Sequence, residues 1–586
     1  MCGIIAFKSQ EGLDVNSVIV DGLKRLEYRG YDSFGIAYPG KDGFNLIRKV
    51  GRIGDFSIEK TVSKIAMGHT RWATHGGVTV ENAHPHLSNN NKIAVLHNGI
   101  IENYQELKDT LIEKGYFFRS ETDTETVPNL IQEFMKEGND FTEACRLAFN
   151  SIEGCFAIVA ECNDTLVGAR NGSPMVFGID EKKENYFIGS DVTAFLEFTN
   201  KAVFLDDGDM VVLEKKPRFL RYSDGKEIKK EISVIDWSPE QASKGEYEHF
   251  MMKEIDEQKF TIRNAIAQEK GLIENVSKEI NSASGIFFIG AGTSYHACIF
   301  ASYVFSHVAK KHVNYVLASE FPNFEEFINE KTLVIAVSQS GETIDVLEAV
   351  KSARKRKAKV IGIVNVMGST LTRLSDYTIM MNAGPEICVL STKSYTSELA
   401  IIALLSYSAA GKAEEGKNLI SKAAALVPEI IRENRESLHK LSEKLKEKRD
   451  IFLIGRNSFY PTALEGALKI KEVSYIHAEG FAGGELKHGT IALIEKGTPA
   501  IIFSDKGTRK QIISNAMEIS ARGGFIIGID SVESKVFDYF IKIPDAGFVS
   551  PILSIIPIQI LSYYLALLRN CDPDKPRNLA KSVTVK

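Results

Sequence analysis

With 586 residues, the chain is too long for a single hydrophobic core, so we expect two to four domains. Its 44% apolar and 25% charged residues are ordinary for a folded protein, and its net charge of −5 argues against nucleic-acid binding. The seven cysteines, an odd number, show no disulfide framework, which favours a reducing compartment.

We expect neither a secretory signal nor a membrane span. No basic region followed by an apolar stretch opens the chain, so we expect no secretory signal. The longest apolar run, 551–568, contains Pro557 and several polar residues, which favours a buried helix over a membrane span. We therefore expect a cytoplasmic protein that makes no contact with a membrane.

The first 230 residues predict an α+β domain with antiparallel sheets. Short apolar or alternating runs bounded by Gly, Asn and Asp indicate strands, and helical patterns at 16–27 and 124–136 lie between them. The segment 222–245 then becomes polar and charged, which indicates a linker into a helix near 246–270.

The remainder predicts two α/β subdomains with parallel sheets. Its β-rich runs are separated by helix-length segments, and the rhythm returns after a helical stretch at 397–446. "FFIGAGTSYHA" at 287–297 and "FLIGRNSFYPTA" at 452–463 look like one strand–loop–helix start used twice, which indicates an internal duplication. Ligand sites are expected beyond the carboxyl ends of these strands.

We place the domain boundaries accordingly. The predicted parts are a first domain at 1–230, a linker at 231–250 and a second domain at 251–586, the last divided into subdomains at about 275–415 and 440–575 and a tail at 576–586.

The chain opens "MCGIIAF", which places a cysteine at its amino terminus once Met1 is removed. Cys2 would then carry a thiol and a free α-amine with a pKa of about 8. The amine could accept the thiol proton, directly or through a water, as in N-terminal threonine nucleophiles. The alternative is a small buried apolar residue, since free cysteines are commonly buried.

Three further stretches bear on this choice. "GHTRWATHG" contains Arg71, which is suited to a bidentate grip on a carboxylate. "HNGIIEN" places Asn98 and Gly99 at a predicted strand end, where they could form an oxyanion hole, although "NG" is also an ordinary turn. "SETDTE" places Asp123 at a helix start, where it could receive an α-ammonium or simply cap the helix.

Five of the twelve histidines fall within 29 residues, but the chain shows no HExxH or paired-cysteine spacing. We therefore expect no metal at these residues, which are His69, His75, His84, His86 and His97.

The opening "LKRLEYRGYDS", then "HTRWATHG", "NAHPH", "HNGIIEN" and "SETDTE", in this order, resembles the glutamine amidotransferases whose nucleophile is an N-terminal cysteine. The resemblance implies a four-layer αββα glutaminase domain of the N-terminal-nucleophile class. It also implies that Cys2 attacks the glutamine side-chain amide, and that Asn98 and Gly99 stabilise the oxyanion. The implied glutamine-binding residues are Arg71, Trp72, Thr74, His75 and Asp123.

In the second domain, two loops predict a phosphate site. "FFIGAGTSYHA" leads through small residues into a helix, whose N–H groups would suit a phosphate together with the hydroxyls of Thr293 and Ser294. GxGxxG and GxxxxGK[ST] are both absent, which favours a sugar phosphate over a dinucleotide or a nucleoside triphosphate. Either loop alone could be ordinary helix capping. "AVSQSGETIDV" adds the neutral donors Ser338, Gln339, Ser340 and Thr343.

The two loops together resemble sugar isomerase (SIS) domains, which bind phosphosugars. In "LEGALKIKEVSYIHAEGFAGGELKHGTIAL", Lys469 and Glu472 are three apart, which predicts a shared helical face. They could form a surface ion pair of little energetic weight. On the functional interpretation, Glu472 moves a proton between adjacent sugar carbons with help from Lys469, and His488 opens the sugar ring.

The ending "DKPRNLAKSVTVK" would by default be a frayed tail. With the motifs of both domains, however, it resembles the isomerizing glutamine–fructose-6-phosphate aminotransferases over essentially the whole chain. The resemblance implies that L-glutamine and D-fructose 6-phosphate are the substrates and that Lys581 forms a Schiff base with the sugar. It further implies sugar contacts from Val389 and Ala580, and an ammonia passage gated by Trp72 and the tail at about 577–586. No cofactor, pyridoxal phosphate included, is implied. In the family the ring-opening histidine, His488 here, reaches the site of a neighbouring subunit, so the resemblance implies at least a homodimer.

One residue departs from the family pattern. Ala291 in "GAGTS" occupies a position where bacterial members commonly have cysteine, and we expect phosphosugar binding to survive.

Two alternatives stay open. The first is an amidotransferase for a different sugar, against which the set Glu472, His488 and Lys581 argues. The second is a noncatalytic phosphosugar sensor, which would have no use for a cysteine-centred glutamine site.

Overall fold

The computed structural model describes residues 2–41 and 43–584, which group into two compact units. The first unit contains Met1–Ser243, Gly368–Thr370 and Ala580–Lys586, and the second contains Lys244–Met367 and Leu371–Leu579. The segment 231–250, predicted as a linker, includes a two-residue strand at Ser233–Val234 that pairs with the first unit's larger sheet.

Two antiparallel sheets make up most of the first unit. Its strands are β1 (Gly3–Asp14), β2 (Ser33–Gly40), β3 (Gly43–Val50), β4 (Val62–Arg71), β5 (His86–Leu87), β6 (Ala94–Ile101), β7 (Gly154–Cys162), β8 (Thr165–Asn171), β9 (Val176–Asp180), β10 (Asn185–Gly189), β11 (Lys201–Phe204), β12 (Asp209–Leu213), β13 (Pro217–Arg221) and β14 (Ser233–Val234). One sheet has eight strands in the order β14-β11-β9-β10-β1-β4-β2-β3, and the other has six in the order β13-β12-β8-β7-β6-β5.

Helices cover the outer faces of these sheets. They are α1 (Asp21–Leu26), α2 (Tyr104–Glu113), α3 (Thr126–Lys136) and α4 (Phe141–Ser151), with shorter 3₁₀ or π segments at Asn16–Val20, Glu27–Arg29, Asp123–Glu125 and Val192–Ala194.

Alternation of side chains along the strands produces four layers. Along β1, Ile4 packs with Leu96 of β6 in a core between the two sheets, whereas Ile5 packs with Leu23 of α1 on the outer face. The outer face of the six-stranded sheet packs against α3 and α4 in a separate core. The αββα arrangement that the resemblance implied is therefore confirmed.

The second unit contains two parallel sheets of five strands each. The strands are β15 (Gly285–Gly290), β16 (Asn314–Leu317), β17 (Thr332–Ser338), β18 (Lys359–Val364), β19 (Tyr377–Met380), β20 (Asp450–Gly455), β21 (His477–Ala482), β22 (Pro499–Phe503), β23 (Phe525–Asp530) and β24 (Tyr539–Lys542). The orders are β16-β15-β17-β18-β19 and β21-β20-β22-β23-β24.

The helices of this unit surround both sheets. They are α5 (Phe250–Ile266), α6 (Lys270–Ser282), α7 (Thr293–Val304), α8 (Ile344–Lys355), α9 (Thr370–Leu374), α10 (Lys393–Ala409), α11 (Ala413–Leu445), α12 (Phe459–Ser474), α13 (Arg509–Ser520), α14 (Ser550–Ser554) and α15 (Ile556–Leu568). Shorter segments lie at Phe305–Ala309, Ala318–Phe327, Glu485–His488, Thr490–Leu493 and Gly547–Val549.

The two sheets have the same strand order, 2-1-3-4-5, which confirms two parallel α/β subdomains. The repeated starts, β15–α7 and β20–α12, occupy the same place in each sheet. Gly290 and Gly455 end these strands, and an added Cβ would lie 2.9 Å from Ser294 in the first repeat and 2.0 Å from Phe459 in the second. Close approach of helix to strand therefore requires glycine at both positions.

The apolar run near the carboxyl terminus forms α14 and α15. Gly547–Leu568 is long and apolar enough to cross a membrane, but 83% of its apolar window is buried inside the protein. Core helices meet the same criterion, and α15 packs here in the largest core of the unit.

Candidate functional site

The site around Cys2 continues the apolar layer between the two sheets of the first unit. Met67 and Leu96 belong to that layer, and Arg71 and Asn98 follow them at even spacing along β4 and β6. Because side chains alternate along a strand, both point to the same side as the layer. They line one pocket together with Cys2.

Cys2 is half-buried and held by backbone and amide contacts. The Trp72 backbone N–H donates to Cys2 Sγ at 3.1 Å, and Asn98 Nδ2 donates to the Cys2 carbonyl oxygen at 2.9 Å. Burial raises the pKa of the Cys2 thiol, although the Trp72 N–H and Arg71 act in the opposite direction. The thiol therefore needs a base to become a nucleophile at neutral pH.

Asn98 and Gly99 lie inside β6, opposite Ala157 and Phe156 of β7, so the expectation of a strand end was wrong. The period-2 pattern continues past them because Ile100 and Ile101 still pair with β7. Gly99 has φ +128°, and an added Cβ would lie 1.9 Å from the Cys155 carbonyl oxygen. Only glycine fits there.

The Arg71 side chain forms hydrogen bonds with the loop that follows it. Its guanidinium donates to the carbonyl oxygens of His75, Gly76 and Gly77, the last at 3.0 Å. These hydrogen bonds hold the loop that carries three further predicted residues. Binding of a substrate carboxylate by Arg71 stays a prediction. Those three residues, Trp72, Thr74 and His75, line the pocket.

Asp123 begins a 3₁₀ turn and lines the same pocket. Its Oδ2 accepts a hydrogen bond from the Ile101 backbone N–H at 2.8 Å, so the carboxylate bonds to β6. Thr124 donates to the other oxygen, at 3.3 Å. Five residues that sequence reasoning did not assign to glutamine also line the pocket: His84, His97, Thr122, Thr124 and Thr584.

Three of the five clustered histidines make hydrogen bonds within the protein, whereas both ring nitrogens of His84 are buried without a partner among the described residues. His69 Nε2 lies 3.0 Å from Asn98 Oδ1, and His97 Nδ1 lies 2.9 Å from the Thr124 hydroxyl. His86 Nε2 lies 3.0 Å from Thr122. Within the described ranges 2–41 and 43–584, no group of three or more His, Cys, Asp or Glu residues is placed to hold a metal ion.

The candidate phosphosugar site lies where β15 and β17 end. These strands are parallel neighbours, and the strand order reverses between them, which is where open α/β sheets bind ligands. Thr293 and Ser294 open α7 after β15. Ser338 ends β17 and Thr343 immediately precedes α8.

Internal hydrogen bonds shape the loop after β17. Ser338 Oγ accepts from the Gly341 N–H at 3.0 Å, and the Gln339 carbonyl accepts from the Asn365 N–H at 3.1 Å. Ser340 Oγ accepts from the Glu342 N–H at 3.2 Å. The predicted hydroxyl groups therefore lie in one ordered turn, adjacent in the sheet to the loop after β15.

The hydroxyls of Thr293 and Ser294 donate to buried carboxylates. Thr293 bonds Glu465 Oε1 at 3.1 Å, and Ser294 bonds Glu398 Oε1 at 2.8 Å. Neither side chain caps α7, so the capping alternative fails here. Burial raises the pKa of Glu398 well above its usual range.

Lys469 and Glu472 share a face of α12, and the surface-pair alternative is wrong. Lys469 is 0% exposed, and its Nζ lies 2.9 Å from Glu472 Oε2 and 3.1 Å from Glu465 Oε1. Burial lowers the pKa of Lys469, but the two carboxylates together raise it by more, so the net shift of the pKa is upward. His296 Nδ1 completes the group at 2.8 Å from Glu465 Oε2.

Sequence reasoning missed Glu465, Glu398 and His296. Glu465 had a signal, its i,i+4 spacing to Lys469 in "EGALK". His296 had one too, since it lies in "FFIGAGTSYHA", three residues after Thr293 on α7. Glu398 comes from α10 and meets the group only in three dimensions.

The remaining predicted sugar-site residues are more scattered. Val389 is buried, and its N–H bonds the Asp574 carbonyl at 3.0 Å. His488 ends the short helix Glu485–His488 and is exposed, with no hydrogen bond or ion pair among the described residues. Ala580 and Lys581 group with the first unit.

Two family models match the chain. The glutamine amidotransferase domain matches residues 51–218, and the SIS domain matches twice, at 279–407 and 444–569.

Curated relatives match along the full length. The chain is 45% identical over 610 residues to glutamine–fructose-6-phosphate aminotransferase (isomerizing) of Thermococcus kodakarensis, covering 100% of both chains. It is 42% identical over 605 residues to the protein of the same name from Methanothermobacter thermautotrophicus, again covering 100% of both.

A solved structure matches the second unit's part of the fold. It is the C-terminal domain of glucosamine-fructose-6-phosphate aminotransferase from Francisella tularensis, with 31% identity and a TM-score of 0.53 over 57% of this chain and 99% of that one. With a glutamine amidotransferase domain and two SIS subdomains in one chain, and with full-length relatives of one name, the chain belongs to the family of isomerizing glutamine–fructose-6-phosphate aminotransferases.

Proposed function

We propose that the protein converts L-glutamine and D-fructose 6-phosphate to L-glutamate and D-glucosamine 6-phosphate. The observation that carries the proposal is that one chain contains two sites. In the first, the Cys2 thiol lies in a pocket with the Asn98 amide. In the second, hydroxyl side chains lie where the strand order of a parallel sheet reverses, close to the ion pair of Lys469 and Glu472. The names of the full-length relatives support the choice of substrates.

In the first half-reaction, we propose that loss of Met1 frees the α-amine of Cys2, which takes the thiol proton. The thiolate adds to the amide carbon of glutamine, and the Asn98 side chain and Gly99 N–H stabilise the resulting oxyanion. The C–N bond then breaks, and ammonia leaves with a proton returned by the amine. Water hydrolyses the glutamyl thioester to glutamate and restores the thiol.

In the second half-reaction, His488 opens the sugar ring, and the Lys581 amine condenses with the C2 carbonyl and releases water. Ammonia from the first half-reaction displaces Lys581 at C2 and leaves an imine. Glu472 then removes a proton from C1 and delivers it to C2, while the C1 hydroxyl proton passes to the nitrogen, which yields the aldose with its amine at C2. Lys469 holds Glu472 in place and balances its charge. The scheme uses no cofactor, because Lys581 itself activates the carbonyl.

We also propose that this reaction is the first step of hexosamine synthesis, carried out in the cytoplasm by a homodimer. The family of the chain supports these points.

The test measures glutamate release from glutamine with and without fructose 6-phosphate, alongside direct detection of glucosamine 6-phosphate. We expect sugar-stimulated glutamate release with matching amino-sugar formation, and loss of both from glutamine in Cys2→Ala. Glutamate release without any amino sugar would retain the thiol assignment but reject fructose 6-phosphate as the acceptor. Amino-sugar formation by Cys2→Ala from glutamine would reject the thiol assignment.

A further inference from the structure

His69 links the two sheets of the first unit at the edge of the pocket. It follows Met67 by two residues on β4, so it points to the same side as the layer between the sheets, and it is 0% exposed. Its Nε2 lies 3.0 Å from Asn98 Oδ1 and 3.1 Å from the His97 carbonyl oxygen. A carbonyl oxygen can only accept, so Nε2 must carry the proton and donate.

The orientation of the Asn98 amide follows from its two neighbours. The Cys2 carbonyl oxygen, which can only accept, lies 2.9 Å from the amide nitrogen. On the other side, the Nε2–H of His69 requires an acceptor, which the amide oxygen provides. A flipped amide would set oxygen against oxygen at Cys2 and N–H against N–H at His69, which costs two hydrogen bonds in a buried site.

The His69 ring is itself held in one state. Burial lowers its pKa to about 3, so it is neutral at physiological pH, with a single N–H at Nε2. The ring of His84 packs edge-on against it at 4.2 Å between centroids. Nδ1 of His69 is buried without a hydrogen-bond partner, which leaves Nε2 as the ring's point of attachment.

We infer that His69 is a positioning residue, whose Nε2–H fixes the Asn98 amide with its nitrogen turned toward Cys2, where the oxyanion forms. This inference rests on the proposed oxyanion role of Asn98. His69 touches neither the thiol nor the substrate in this scheme, so it acts on the reaction only through Asn98.

The first test compares His69→Leu with His69→Gln by their kcat and KM for glutamine hydrolysis. Leucine removes the donor, whereas glutamine places an N–H near the position of Nε2. Removal of one oxyanion donor lowers kcat about 10²–10³-fold, so we expect a loss of roughly 10-fold or more in His69→Leu, with KM nearly unchanged. His69→Gln should recover most of this loss.

Two controls separate positioning from loss of fold. The thermal unfolding midpoint reports on folding, and the rate at which iodoacetamide alkylates Cys2 reports on the thiol without forming an oxyanion. We expect both to stay near wild type in His69→Gln, and the alkylation rate to persist in His69→Leu. Equal kcat losses in the two variants would overturn the inference.

The second test is a double-mutant cycle with Asn98→Ala. If His69 acts through Asn98, adding His69→Leu to Asn98→Ala should lower kcat no further. Independent, multiplying losses would overturn the inference but leave the oxyanion role of Asn98 standing. A normal kcat in Asn98→Ala alone would instead reject the proposed function of Asn98, and the inference with it.

Discussion

At the residue scale, Gly99 shows why one backbone position in the candidate site admits a single amino acid. Its φ of +128° lies in the region that favours glycine, and the Cys155 carbonyl occupies the place of a Cβ. The residue that would supply an oxyanion N–H is thus fixed by the neighbouring strand.

Gly99→Ala should therefore destabilise the protein by about 3 kcal/mol or more and abolish glutamine hydrolysis, because the backbone must shift. The matched control is Gly115→Ala, where φ is +89° but no atom lies within 4 Å of the added Cβ. We expect the control to cost about 1 kcal/mol and leave hydrolysis intact. Chemical denaturation and glutamate release measure both effects, and equal costs at the two positions would contradict the steric explanation.

Lys469 shows a second residue-scale effect, the dependence of a buried cation on its partners. Its substitution by methionine leaves Glu465 and Glu472 without their cation, and breaking a buried pair costs about 3–5 kcal/mol. Chemical denaturation of Lys469→Met should show this loss at neutral pH. Lys440→Met, which breaks an exposed pair with Glu436, should leave the unfolding midpoint nearly unchanged. A small effect in Lys469→Met would mean that the two carboxylates take up protons instead.

At the scale of elements, alternation along β1, β4 and β6 connects the core of the first unit to its pocket. The same rows of side chains that pack between the sheets continue into Cys2, Arg71 and Asn98. Stability and site geometry should therefore respond together to changes in this layer.

Leu96→Ala tests the layer. Leu96 is 0% exposed, so we expect a loss of about 2–5 kcal/mol, because the rigid strands on either side cannot close the cavity. Ile112→Ala on α2, at a residue 50% exposed, should cost less than about 1 kcal/mol. Denaturant titration measures the free energy of unfolding of both variants. Equal losses would contradict the proposed contribution of this buried layer to stability.

At the scale of the whole molecule, the proposed homodimer makes a prediction about His488. This residue is exposed and makes no hydrogen bond or ion pair among the described residues, and we propose that it acts in the sugar site of the partner subunit. On this proposal, Glu472 and His488 of one sugar site come from different subunits.

Differently tagged His488→Asn and Glu472→Gln chains, each inactive alone, should form active mixed dimers when produced together. Each mixed dimer holds one intact site of two, and half the dimers are mixed at random, so we expect about one quarter of wild-type activity. Amino-sugar formation by the purified mixture measures it. Absence of activity in isolated mixed dimers would place His488 in the site of its own chain.

The four-layer arrangement of the first domain was implied by the family resemblance, whereas the sequence patterns by themselves predicted its antiparallel sheets, the duplicated parallel sheets and most of the candidate residues. Local patterns carry that information: alternation predicts strands, and the motifs around Cys2, Ser338 and Lys469 keep their spacing whatever the packing. Local patterns did not predict that Lys469 is buried, because the i,i+3 spacing of an ion pair is the same on an exposed helix face as on a buried one.

Only the tertiary structure decided which distant groups meet. Glu398 and His296 join the candidate phosphosugar site from separate helices, and His69 reaches Asn98 from the other sheet. It also placed Asn98 and Gly99 inside β6, because pairing with β7 extends the strand beyond its apolar run. Hydrogen bonds across elements depend on packing distances, and no pattern along a single segment encodes those distances.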